Sequence, residues 1–363
     1  MSASRRLVAL VVLSTLMLVA LLGVEVARAD AMTSPPVDTR YGVDYSKTSV
    51  VWPTFFRALK ASGRDFIGRY LPVPGATWRA VTVTELKAAA AVGVDYFFWC
   101  EDSTNHYLAR DGGFAAGVAQ ARASLSALAS LGLPTTTPVY YTVDYPAASG
   151  TEIDAYFRGV NSVVPVSQIG AYGNYTTIDW LYQHGLATYF CESNAWPEPL
   201  GWHPQAQMHQ DVTSYYVGGV HVDRLTVTAA DFGQCRLHEQ ADPRIRYSGT
   251  WSVFTKTLAS WGSYRRSSTS GASATIYFRG TRLDWIAMKG LTTGVADVYL
   301  DGVKKATINL AASAATYQVR VWSTGALAEG DHTVKIVRSS SSASGKYVTL
   351  DAVDIWGTIK AGP

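Results

Sequence analysis

Charge is scarce in this sequence of 363 residues: Asp, Glu, Lys and Arg together make up 16%, against 48% hydrophobic residues. That balance excludes an intrinsically disordered chain, which needs high charge and few apolar residues, and it allows a sizeable core. Runs of one sign are missing as well. Beyond residue 29 the longest basic clusters are the pairs Arg265-Arg266 and Lys304-Lys305, so nothing marks the basic face that a nucleic-acid partner needs. Cysteine is confined to Cys100, Cys191 and Cys235, without the spacing of a zinc site. No metal or other cofactor is expected. Only one apolar run, residues 7–24, approaches membrane-spanning length.

That run follows Arg5 and Arg6 and precedes Ala27-Arg28-Ala29, the layout of an export signal over residues 1–29. Ser4-Arg5-Arg6-Leu7 loosely matches a twin-arginine signal. Cleavage would remove Arg5, Arg6, Arg28 and Glu25 and take the formal net charge from +3 to +1. The expected product is secreted, extracellular or in the cell envelope, with no stable membrane insertion once the signal is gone. An uncleaved segment would instead tether a structural envelope protein. In an exported chain three cysteines imply one disulfide and one leftover thiol, and spacing leaves the pairing open. Cys100 with the nearby His106 reads as packing, not as a nucleophile.

What the chain has in quantity is aromatic rings, 12% of residues with 11 Trp and 21 Tyr. Such rings fill cores, and they also stack on sugar faces. The length argues for about two domains, and the patterning divides the same way. Over residues 40–235, short runs rich in Val, Ile, Tyr and Phe alternate with helical periodicity, as βα units around a parallel sheet would. One helix is stopped by Gly63. Another opens on a capping box of Thr82 and Glu85. The last units are short of helix, so the expected architecture is an irregular (β/α)8 TIM-like barrel. Residues 236–246, RLHEQADPRIR, are polar and read as a linker. From 247 to 360 only β runs separated by Gly, Ser and Asp turns appear, an all-β sandwich in which Asp301-Gly302 marks a hairpin.

Five of the strand-like segments in the first domain end on a residue suited to sugar chemistry: YGVDYS on Asp44, FIGRYL on Arg69, YFFWCEDS on Glu101, VYYTVDYP on Asp144 and VHVDRL on Asp223. A charge within a strand buried on both faces is costly, so acids at successive strand exits point to a polar mouth over an apolar barrel. Glycosidic cleavage uses two carboxyl groups across the scissile bond. The best pair is Glu101 with Asp144, on adjacent strands. Glu101 follows Phe97-Phe98-Trp99, an apolar setting that favours a protonated acid, and Asp144 would remain ionised. Asp44, Arg69, Tyr70, Tyr141, Tyr172, Trp196, Gln210 and Asp223 are the candidate substrate-binding residues. The bland alternative is a set of ion pairs closing the barrel end, such as Arg69 with Asp44.

The motifs YGVDYS, FIGRYL, TELKAAAAVGVDYFFWCED, TPVYYTVDY, IGAYGNYTTI, Ala195-Trp196, AQMHQD and HVDR…DFG occur in order over residues 40–235. In them the first domain resembles the DUF1906 family, the Rv2525c-like glycoside-hydrolase-like domain, and more distantly glycoside hydrolase family 25. That resemblance implies an exported actinobacterial protein with a barrel and a rim of acids. The lysozyme-type relatives carry a D-x-E pattern at the fourth strand. This chain has Asp144-Tyr145-Pro146, so either Glu101 replaces the missing Glu, or Asp144 works with a substrate acetamido group, or the site only binds. GVADVYLDG, GDHTVKIV and VTLDAVDIWG resemble the galactose-binding-like jelly rolls of secreted glycosidases. In that second domain Trp251, Trp261, Trp285, Trp322 and Trp356 are candidates for stacking. Trp285 and Trp356 read as core, and Trp261 with Tyr264 as the exposed platform. The expected ligand is a polysaccharide or peptidoglycan-type glycan, hydrolysed or, alternatively, only bound.

Overall fold

The computed structural model describes residues 39–48, 50–196 and 200–363; the export signal expected over residues 1–29 lies outside them. Eight strands close into a barrel in chain order. They are β1 (Arg40–Asp44), β2 (Phe66–Tyr70), β3 (Asp95–Cys100), β4 (Val139–Thr142), β5 (Ile169–Gly173), β6 (Tyr189–Ser193), β7 (Met208–Val217) and β8 (Val220–Val227). Strands β1 to β7 pair in parallel, whereas β8 runs antiparallel to both of its neighbours, β7 and β1. The helices are α1 (Trp52–Ala61), α2 (Val83–Ala90), the single turn α3 (Leu108–Asp111), α4 (Gly113–Ser130), α5 (Thr151–Asn161) and α6 (Tyr175–Gln183). Among the described residues no helix follows β6, and β7 turns into β8 at Gly218-Gly219, both in the left-handed region that favours glycine. The expected irregularity therefore lies at the last two strands.

Local chemistry explains the helix boundaries. Pro53 sits in the first turn of α1, and the chain leaves that helix through Gly63 at φ +76°. Thr82 caps α2, its side chain accepting from the Glu85 N–H at 3.2 Å. Asn174 caps α6 in the same way, at 3.1 Å. Helices α4 and α5 touch where Gly117 lies against the carbonyl of Tyr156 and Gly159 against that of Phe114; a Cβ at either would collide with backbone.

Alternation along the strands divides the barrel and its helices into two apolar layers. Phe66, Phe97, Trp99, Tyr140, Tyr172, Tyr189, Met208 and Leu225 point inward and fill the barrel with Phe232. Their neighbours of opposite parity, Ile67, Phe98, Tyr141, Ile169 and Phe190, point outward and pack against the helices with Phe55, Leu86, Leu128 and Phe157. The same parity corrects the expected disulfide. Cys191 belongs to the inner layer and Cys100 to the outer, where its thiol lies 2.8 Å from Gln120 Oε1. Cys235 is buried elsewhere in the outer layer, near Thr137, and all three are free thiols.

The segment read as a linker, 236–246, is part of the fold. Leu237–Glu239 forms β9, which pairs with the last strand, Ala352–Lys360. Arg236, His238, Glu239, Gln240 and Asp242 are buried. The polarity that suggested a linker belongs to a network at the foot of the barrel, in which Arg244 bridges Asp95 and Asp242 and Arg40 also reaches Asp95, each at 2.7 Å. Beyond it, an eight-stranded antiparallel sheet and a three-stranded one share a core of Trp285, Phe278, Ile276, Val298, Ile336 and Leu350. The division of strands is uneven, eight to three. Asp301-Gly302 forms the expected hairpin turn, Leu300 pairing with Val303 and both turn residues at positive φ. The two rings expected as an exposed platform are not exposed. Tyr264 is buried, and Trp261 is wedged against α4, its indole N–H donating to the Leu131 carbonyl at 3.3 Å. Trp285 is fully buried, and the ring of Trp356 lies under the guanidinium groups of Arg236 and Arg282. Among the described residues no helix is long and apolar enough to cross a membrane.

Candidate active site

The barrel opens at the carboxyl ends of its parallel strands into a cavity of about 290 Å³. Tyr70, Trp99, Thr142, Tyr172 and Gln210 come up from the strands, with Glu101, Asp144 and Asp223 among them and Arg79, His106 and Ala195 from the loops. The polar side chains follow the inward parity of the apolar ones beneath them. Phe97 and Trp99 lead to Glu101, Tyr140 and Thr142 to Asp144, and Met208 to Gln210. Asp223 arrives differently, from within the antiparallel β8, where it lies directly opposite Asp44 of β1.

Glu101 is buried, and its Oε1 accepts from Arg79 Nη2 at 2.5 Å. Burial raises its carboxyl above the usual range; Arg79 opposes that rise and nearby Asp144 adds to it. Asp144 is about one-third exposed, and its Oδ2 lies 3.2 Å from His106 Nδ1. Facing side-chain atoms of Glu101, His106 and Asp144 all lie within 4.8 Å of one another. Such a trio has the donors for a metal ion, but one oxygen of Glu101 is already engaged by a guanidinium. Behind Arg79, the ring of Tyr70 lies 4.0 Å from its guanidinium carbon.

Across the mouth, Gln210 is held by three partners. Its Nε2 donates to Asp44 Oδ2 at 2.6 Å, and its Oε1 accepts from Tyr172 at 2.8 Å and Ser193 at 3.1 Å. Asp44 is buried beneath the cavity and reaches it through Gln210. Burial pushes the Asp44 carboxyl well above the usual carboxylate range, with Asp223 and Glu101 adding like-charge repulsion and the Gln210 hydrogen bond opposing. Trp196 stands at the rim, edge-on to Tyr172 at 6.3 Å.

Two expected substrate residues lie elsewhere. Arg69 is fully buried on the outward face of β2, where its Nε donates to Glu85 Oε1 at 2.5 Å and its Nη1 to the Tyr45 carbonyl. Its partner is thus Glu85, not Asp44, and the side chain that would have closed the capping box is drawn to Arg69 and to the Tyr45 hydroxyl, 2.7 Å away. Tyr141 is likewise outward, its hydroxyl 2.9 Å from Ser124 on α4. Both follow a simple rule: inward residues of β2 and β4 carry even numbers, and these carry odd ones. Conversely, nothing in the sequence marks Arg79, and His106 reads only as a packing neighbour of Cys100. Both sit in loops without periodicity, and the one available signal is that each lies in the stretch following a strand that exits at the mouth.

Residues 57–227 match the family model for the Rv2525c-like, glycoside hydrolase-like domain. The chain is 34% identical over 172 residues to a Mycobacterium tuberculosis protein named "Putative peptidoglycan hydrolase Rv2525c", covering 44% of this chain and 70% of that one. A crystal structure of the same M. tuberculosis protein, described as Tat-secreted and in complex with HEPES, superposes with a TM-score of 0.47 at 32% identity, over 54% of this chain and 98% of that one. An A type blood alpha-D-galactosamine galactosaminidase of Flavonifractor plautii is 33% identical over 135 residues, 36% of this chain but only 12% of that enzyme. By its identity to Rv2525c over more than two thirds of that relative, the chain belongs to the Rv2525c-like, glycoside hydrolase-like family.

Proposed function

We propose that the barrel mouth cleaves O-glycosidic bonds of a cell-wall or environmental polysaccharide, with Glu101 as the general acid and Asp144 as its ionised partner. The observation that carries this reading is a buried carboxyl disposed to hold its proton, facing a more exposed carboxylate with atoms within 4.8 Å. Retaining glycosidases space their carboxyl groups about 5–5.5 Å apart, and inverting ones about 6.5–9.5 Å. In the reading proposed, Glu101 gives its proton to the leaving oxygen as the glycosidic C–O bond breaks. Asp144 attacks the anomeric carbon, or supports attack by the substrate's own acetamido oxygen. Water then gives a proton back to Glu101 and its hydroxyl to the anomeric carbon, breaking that carbon's bond to the Asp144 or acetamido oxygen. His106 fixes the Asp144 carboxylate, while Tyr70, Tyr172, Gln210 and Asp223 meet the sugar hydroxyls, Asp44 holds Gln210 from beneath, and Trp196 stands at the rim.

Secretion belongs to the same reading. It is supported by the charged, apolar and small-residue layout of residues 1–29 and by the Tat-secreted description of the 34% identical relative. The C-terminal sheets are assigned the part of an accessory glycan-binding module, on the resemblance of their strand motifs to the jelly rolls of secreted glycosidases. Peptidoglycan heads the list of substrates because the relative's name carries it.

The test is release of reducing ends from purified peptidoglycan and a panel of storage and wall glycans. Wild type should cleave at least one of them, and Glu101→Gln and Asp144→Asn should each lose roughly 10²–10⁴-fold in rate. One sequence feature favours a second reading, a non-catalytic glycan-binding protein: the Glu expected two residues after Asp144 is Pro146. Retention of a glycan in a pull-down without cleavage would decide for that reading.

A further inference from the structure

The barrel's closed strand order places the loop after β2 and the loop after β6 on opposite sides of the mouth, four strands apart. Each carries a tryptophan. After β6 it is Trp196, against Tyr172. After β2 it is Trp78, which is 62% exposed although it neighbours the buried Arg79. An exposed Trp is ordinary by itself. This one is held. Its indole N–H donates to Ser103 Oγ at 3.1 Å, two residues beyond Glu101, and Ser103 Oγ in turn donates to the Gly75 carbonyl. The Arg79 guanidinium carbon lies 4.0 Å from the centroid of the Tyr70 ring and 5.3 Å from that of the Trp78 ring. The ring's polar edge is therefore satisfied and its position fixed while most of its surface stays open to solvent. That is how a stacking platform keeps ordering costs low on binding.

We propose that Trp78 is a sugar-stacking subsite, and that the glycan lies across the whole mouth from Trp78 to Trp196 so that cleavage is internal to a chain. The inference rests on the glycan-cleaving reading of the mouth. A chain on that line has the Glu101 and Asp144 loops on one flank and Gln210 with Asp223 on the other, so the scissile bond faces the carboxyl pair while both ends of the chain continue past it. A pocket that bound only a chain terminus would have no use for a platform on the far side. The ligand class is accordingly a polysaccharide with pyranose units on both sides of the cut, longer than a disaccharide.

The experiment measures binding, so that it does not depend on turnover. Titrate Asp144→Asn protein with a six-sugar peptidoglycan glycan strand and with the corresponding disaccharide, and repeat with Trp78→Ala and Trp78→Phe added. The expected result is tighter binding of the six-sugar strand, a roughly tenfold loss of that advantage in Trp78→Ala, recovery in Trp78→Phe, and little change for the disaccharide. Equal affinity of the Trp78→Ala and parent proteins for the long strand would overturn the subsite while leaving the hydrolase reading intact. Failure of the parent protein to bind either ligand, together with no cleavage of peptidoglycan by wild type, would overturn both. With an active enzyme, release of disaccharide before any fall in chain length would also count against internal cleavage.

Discussion

Glu101 carries two opposed influences, and their balance sets the pH at which the mouth can act as an acid. Burial favours the protonated form, and Arg79 at 2.5 Å favours the ionised one. Removing the guanidinium in Arg79→Met leaves burial and the Asp144 charge, so the carboxyl rises further. A general acid works only below its own pKa, so the alkaline limb of the kcat/KM profile should move to higher pH in Arg79→Met, with a lower maximum because Glu101 loses its anchor. An alkaline limb that stays in place, measured on the same glycan, would mean that Glu101 does not titrate in the catalytic step. Asp144 has a different supporter, His106, on an exposed loop.

At the scale of elements, a strand's alternation decides which residues reach the mouth. Arg69 and Glu101 each belong to a strand-end motif, yet one is a buried structural ion and the other an acid of the cavity. Arg69→Met should therefore act on stability. It strands Glu85 in the outer layer, and breaking a buried pair from one side costs about 3–5 kcal/mol, read as a fall in the urea midpoint. A stable Arg69→Met protein with weakened glycan binding would return Arg69 to the mouth. The same element-level logic separates what could be read in the sequence from what could not. The βα alternation, the rim acids Glu101, Asp144 and Asp223, the Thr82 cap and the Asp301-Gly302 turn are local patterns, legible one segment at a time. Arg79 and His106 are brought in by loops, whose course is set by what they meet. Glu85 reads in the sequence as the closing half of a capping box, but its side chain is taken by Arg69, 16 residues away. The segment 236–246 reads as a linker because groups that satisfy it, Asp95 for Arg244 and Ser260 for Glu239, are distant in sequence. Trp261 looked exposed because its Gly/Ser neighbours suggest a loop, whereas its ring is anchored on α4 and its own carbonyl accepts from Lys87 at 2.9 Å.

At the scale of the whole molecule, Glu239, Asp351 and Asp354 form a set of acids beside the junction of barrel and sheets. Glu239 accepts from Ser260 Oγ at 2.5 Å, and Asp351 accepts from the Ser260 and Gln318 backbone N–H groups. Burial pushes Glu239 up to about 8 and Asp351 and Asp354 up to about 6. A carboxyl whose folded pKa lies above its unfolded value near 4 binds more proton in the folded state, so its contribution is full below pH 4 and is lost as pH rises through 6 and 8. Asp95 works in the opposite sense. Arg244 and Arg40 outweigh its burial and hold it down to about 2, a stabilisation present above pH 4 and lost as pH falls toward 2. Thermal unfolding should therefore peak in mildly acidic buffer and decline from pH 6 to 8.5, and Glu239→Gln should flatten that decline. A Tm that rises steadily toward pH 8.5 would contradict the protonated junction.

That Glu101 and Asp144 act as a carboxyl pair on one glycosidic bond is tested by proton NMR of the first product formed. Because Asp144, or the acetamido oxygen it supports, attacks the anomeric carbon before water does, the newly released reducing end should carry the anomeric configuration of the bond that was cut, relaxing to the equilibrium mixture only later. A first product of inverted configuration would require a water between the two carboxyl groups, and would contradict the assignment of this pair.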